Sequence, residues 1–106
     1  MIYELHTYVA ADGRIGDLHR RFADDTLGVF DRVGIDVVAF FRDREQSDRL
    51  HYLVRFPDET SRDRAWAAFK EDPEWLEVKA ASETDGPLIA EKRAIELEPT
   101  DYSPAL

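Results

Sequence analysis

The chain has 106 residues, 43% hydrophobic and 11% aromatic, which is enough apolar material for one core and too little length for two domains of ordinary size. Its 14 Lys and Arg stand against 23 Asp and Glu, a net charge of −9 that argues against nucleic acids and anionic membrane surfaces as partners. There is no cysteine for disulfides or thiolate chemistry, no secretory signal and no apolar run near the roughly 20 residues that cross a bilayer, so a single cytoplasmic domain over residues 1–106 is expected.

Residues 2–9, Ile-Tyr-Glu-Leu-His-Thr-Tyr-Val, are β-branched and aromatic and end at the turn-forming Ala-Ala-Asp-Gly, which predicts a first strand. Alternation sorts Tyr3, Leu5, Thr7 and Val9 to one face and Ile2, Glu4, His6 and Tyr8 to the other. The first set, being more apolar, is expected beneath helices. After Gly13, apolar Ile15, Leu18, Phe22, Val29, Phe30 and Val33 recur at helical spacing, predicting one helix to about Arg32 with Gly34 as its stop. The apolar run Ile35–Arg42 and the alternating Arg49–Phe56 read as a hairpin joined by a charged connector. In the second of these strands Leu50, Tyr52, Val54 and Phe56 share one face and Arg49, His51, Leu53 and Arg55 the other.

Beyond Pro57, Thr60 or Ser61 is expected to cap a second helix with Ala65, Trp66 and Phe69 on its buried stripe, closing near Asp72. A short third helix is predicted from Pro73 to about Ser82, where Trp75 serves as an anchor, and a fourth strand over Leu88–Leu97 precedes a Pro-containing tail. The order strand, helix, strand, strand, helix, strand is ferredoxin-like α+β. Both helices then cover one sheet face. The other is expected to mix Ile2, Tyr8 and Leu53 with Glu4, His6, Arg49, His51 and Arg55. Such a face is too apolar for water and too polar for a dry core, so a homodimer with the two sheets facing is expected.

On that face a neutral imidazole beside a carboxylate suits proton abstraction near pH 7. His6 is the candidate catalytic base and Glu4 its orienting partner, with Tyr8, His51 and Arg55 placed to bind and polarise a substrate oxygen. The competing reading is a satisfied polar network between subunits. His6, His51 and Glu4 also hold metal-ligating atoms, but at distant sequence positions, and no metal is expected. No cofactor is expected either, since the chain has neither a Gly-rich phosphate loop nor a marked haem ligand.

Four stretches resemble the NIPSNAP family over essentially the whole chain: Met-Ile-Tyr-Glu-Leu-His-Thr-Tyr at the start, Trp66-Ala-Ala-Phe-Lys-Glu-Asp-Pro-Glu-Trp75, Ser82-Glu-Thr-Asp-Gly-Pro-Leu88 and Pro99-Thr-Asp-Tyr-Ser103. The resemblance implies a dimeric α-β barrel, two ferredoxin-like subunits meeting sheet to sheet. Where many members carry Arg after Glu-Leu, this chain has His6. By analogy with other such barrels, the first functional reading is a protein that binds a small organic compound, aromatic or polyketide-like, and catalyses cofactor-free oxygenation, isomerisation or cyclisation. The second is a noncatalytic protein-interaction or scaffold protein. A cavity on which His6 and His51 converge favours the first, and a packed interior the second.

Overall fold

In the computed structural model, which describes residues 1–106, the chain runs β1 (Ile2–Ala10), α1 (Ile15–Arg21), a π-helical turn (Phe22–Thr26), α2 (Leu27–Val33), β2 (Asp36–Arg42), β3 (Arg49–Phe56), α3 (Glu59–Glu71), α4 (Pro73–Ser82) and β4 (Ile89–Leu97). The strands form one antiparallel sheet in the order β2-β3-β1-β4, and the helices pack on one of its faces, the expected ferredoxin-like α+β topology. Strand β3 sets the buried face. Its Leu50, Tyr52, Val54 and Phe56 are all at most 2% exposed and meet Leu18, Phe22, Phe30 and Ala65 from the helices. Each such side chain withdrawn from water contributes about 1.5–3 kcal/mol of hydrophobic free energy.

Strand β1 is turned the opposite way from the sequence expectation. Register pairs Glu4 with Val54, His6 with Tyr52 and Tyr8 with Leu50, and residues directly opposed across an antiparallel ladder point to the same face. Glu4, His6 and Tyr8 therefore lie beneath the helices, while Tyr3, Leu5, Thr7 and Val9 share the open face with Arg55, Leu53, His51 and Arg49. The reason is that pairing parity with β3 outweighs the apolar count of β1 taken alone. Its two polar residues tolerate the covered face because they bond to each other and to Trp66.

The expected long first helix is interrupted. At the π-helical turn the Thr26 hydroxyl donates to the Arg21 carbonyl at 3.2 Å, occupying an acceptor that a wider helical turn leaves accessible. Gly34 ends α2 at φ 96°, and the backbone N–H groups of Gly34 and Ile35 both return to the Phe30 carbonyl. The N-cap of α3 is Asp58, whose carboxylate accepts from the Ser61 N–H at 2.7 Å, and not Thr60 or Ser61: the carboxylate at the last extended residue reaches the free N–H groups of the first turn. Asp72 caps α4 by accepting the Trp75 N–H at 2.9 Å, and Arg32 of α2 grips the same carboxylate with two bonds of 2.6 and 2.9 Å.

Candidate functional site

The helices do not close over the outer part of the sheet. Between β1 and β4 on one side and α3 and α4 on the other lies a cleft of about 510 Å³, with Glu4, His6 and Tyr8 in its floor and Trp66, Phe69 and Trp75 in its wall. An inner chamber of about 180 Å³ adjoins it, sharing Tyr8, Phe69 and Trp75 and reaching Arg21, Phe22 and Thr26 of the π-helical turn. The π turn thus borders the deepest part of the cleft.

Glu4 organises the floor. Its Oε1 accepts the Trp66 indole N–H at 2.9 Å and lies 3.0 Å from His6 Nε2. Since an ionised carboxylate only accepts, that contact places the imidazole proton on Nε2 and leaves Nδ1 as the basic atom. Nδ1 makes no hydrogen bond within the protein and is not sealed from solvent. The ring is clamped, stacked on Tyr52 at 4.7 Å with 3° between planes, and 5.2 Å from the Trp66 ring. Burial lowers the His6 pKa below the usual 6.5, and the Glu4 hydrogen bond and charge oppose that shift without overcoming it. The imidazole is neutral at pH 7 and free to accept a proton.

Tyr8 and Tyr52 share a hydroxyl–hydroxyl bond of 2.7 Å, and burial raises the pKa of both phenols, keeping them protonated. Phe40 stacks on the far side of Tyr52 at 5.0 Å, so Phe40, Tyr52 and His6 form a continuous column of rings.

Of the five residues singled out from sequence, the fold brings together Glu4, His6 and Tyr8 and separates His51 and Arg55 from them. His51 sits on the open face, between the Thr7 hydroxyl at 2.9 Å and Asp43 Oδ2 at 2.8 Å. Arg55, also there, donates to Asp36 at 2.7 Å and to the Leu106 carbonyl at 3.3 Å. Neither can join His6 across the sheet, and for the same reason Glu4, His6 and His51 do not converge as a metal triad. Glu4, His6 and Tyr8 line a cleft on the helix side of the sheet and not the face expected to meet a second subunit. Trp66 packs against the core with Phe30, Phe56 and Phe69, as periodicity places it, and its partly buried ring also walls the cleft and orients Glu4 through its N–H. Tyr52, and Lys92, whose ammonium lies 5.4 Å over the Tyr8 ring at the cleft, were not recognisable as site residues from spacing. The signal for Tyr52 was its pairing with His6, which requires the register.

No curated protein matches the sequence. Among solved structures, an uncharacterized NIPSNAP domain protein from Burkholderia xenovorans is similar with a TM-score of 0.84 at 15% identity, covering 99% of this chain and 100% of that one. A NIPSNAP family protein of unknown function from Agrobacterium tumefaciens reaches 0.84 at 22% identity, covering 100% of this chain and 94% of that one. SnoaB, a cofactor-independent oxygenase from Streptomyces nogalater, reaches 0.69 at 17% identity over 98% of this chain and 97% of its own. The NIPSNAP family model matches residues 3–104. Nearly the full length is covered by that match, and the chain belongs to the NIPSNAP family.

Proposed function

We propose that this protein binds a planar organic compound in the helix-side cleft and transforms it by base catalysis without a cofactor, with oxygenation, isomerisation or cyclisation as the reaction class. The observation that carries the reading is the Glu4–His6 pair, its basic Nδ1 unbonded in a cleft walled by Trp66, Phe69 and Trp75. His6 takes a proton from an acidic C–H or phenolic O–H. Glu4 fixes the tautomer and stabilises the resulting imidazolium. Tyr8, accepting from Tyr52, turns its own proton toward the oxygen on which negative charge develops. The likeness in fold to an oxygenase that needs no cofactor supports the reading by analogy.

The test is turnover of a panel of planar phenols and anthrones in aerated buffer, followed by mass spectrometry. At least one compound is expected to react, with His6→Gln losing about 10²–10⁴-fold in rate, the usual worth of a positioned general base, and binding little changed. Binding of every compound with no turnover would leave a binding protein, not an enzyme. Absence of binding would remove the cleft from consideration.

We further propose that the open sheet face is covered by a second copy. Leu5 stands between Leu53 and Ile95 across three strands, next to Leu97 opposite Tyr3, and Ile95 and Leu97 are 51% and 41% exposed, a contiguous apolar band unusual for a free surface. Light scattering should return twice the chain mass of 12.2 kDa. A Leu5→Glu variant should return the monomer, and a monomeric parent protein would refute the arrangement.

A further inference from the structure

The chain has only three lysines, and the fold carries all of them to one place. Lys70 on α3, Lys79 on α4 and Lys92 on β4 line the cleft, Lys92 opposite Tyr8 on its floor. In a chain of net charge −9, three ammonium groups thus surround a single carboxylate of this cleft, Glu4. That carboxylate is already engaged by Trp66 and His6, with Arg62 at 3.9 Å. None of the three lysines forms an ion pair within the protein, whereas six of the eleven arginines do. The positive charge is therefore concentrated, with Glu83 of the inner chamber offsetting it in part.

Two details place its focus at the junction of the chambers. Lys79 and Lys92 line both, and the Lys92 ammonium lies 5.4 Å over the Tyr8 ring. At the inner end Arg21 is 5% exposed, with its Nε buried and unpartnered although its terminal nitrogen reaches Glu83 and Ser82. Burial, then repulsion from Lys79 and Arg21, lowers the Lys92 pKa, with Glu83 opposing in part. Like charges held together in a concave, partly desolvated site are relieved by an anion, and the aromatic walls demand a flat one.

We infer that the cleft selects a planar organic acid, its carboxylate held at Lys79 and Lys92 and its ring against the Trp66, Phe69 and Trp75 wall. This rests on the cleft reading above and adds the charge of the ligand to it. It also fits the chemistry, because an acid anchored at the junction leaves the rest of its ring system over His6 in the outer chamber.

The experiment compares 2-naphthoate with its neutral isostere 2-naphthamide by calorimetry, while amide and indole N–H resonances report where each binds. Both should shift the Trp66 and Trp75 indole signals, and the acid should bind about tenfold more tightly, as one charge-assisted contact implies. In the Lys79→Gln/Lys92→Gln double variant the preference should vanish while the amide binds as before. Equal affinity for both probes, or a preference that survives the double variant, would overturn the inference and leave the cleft intact as a site for planar compounds. Failure of both probes to move the indole signals would overturn the cleft reading and the inference with it.

Discussion

Removing the Tyr8 hydroxyl should cost more stability than removing that of Tyr52, although the two oxygens share one bond. Tyr52 is 0% exposed and its only polar partner is Tyr8, so Tyr8→Phe strands a hydroxyl in the core. An orphaned buried hydroxyl costs about 1–3 kcal/mol. Tyr8 borders both chambers, so in Tyr52→Phe its hydroxyl can turn to water and the loss is about 0.5–1.5 kcal/mol, that of a bond exchanged and not abandoned. The double variant leaves no orphan and should be no less stable than Tyr8→Phe, giving a coupling of about 1 kcal/mol or more within the cycle. Urea unfolding of the four proteins measures these differences, and melting temperatures should follow at about 4–8 °C per kcal/mol. Equal single costs, or strictly additive ones, would show that water already reaches Tyr52 and that the ring column is not a sealed wall.

The lowered His6 pKa implies that the unfolded chain takes up a proton first, so stability should decline as pH falls below 6.5. Denaturation across pH 5–8 should show this slope reduced in His6→Gln, the remainder belonging to His19, whose pKa is also lowered by burial; an unchanged slope would contradict the burial of His6. Asp72, held at about 2 by Arg32 and the Trp75 N–H, lends stability that is complete above 3.8 and lost as pH falls toward about 2. Asp72→Asn should reduce that acid limb, the remainder belonging to Asp43, also held at about 2, and to Asp17 and Asp58, whose pKa values are lowered too; an unchanged limb would assign it to them alone. Gly34→Ala meets no neighbour within 4 Å but must adopt φ 96°, so it should destabilise by about 1–2 kcal/mol in a thermal melt, a cost of backbone conformation alone.

Element positions were readable from the chain because local signals suffice for them. Alternation delimits Arg49–Phe56, and Pro73 marks the start of α4. The β1 face assignment was not readable, since a strand carrying Tyr, Leu and Val on one side and Ile, His and Tyr on the other has no decisive amphipathic signature. Only its ladder with β3 resolves the choice. The candidate base and its carboxylate were found through their period-two spacing, a relation preserved whichever face they occupy. Their distance from His51 was not, because face identity enters it. The core side of Trp66 was readable from helical periodicity, but its place in the wall of the cleft was not, because periodicity carries no sign of where the sheet is left uncovered.

The π-helical turn makes the first helical run tolerant of two kinds of change. Ala23, Asp24 and Asp25 within it are exposed, so their side chains are open to substitution. The turn holds one residue more than an α-helical turn, since the Leu27 N–H returns to the Phe22 carbonyl five positions back instead of four. Deleting one residue inside it would let the same bond close an ordinary α turn, and Phe30, 1% exposed, would keep its place on the sheet. A deletion in α1 or α2 has no such slack and would rotate the residues beyond it by about 100°. The segment absorbs a change in length where the helices on either side of it do not.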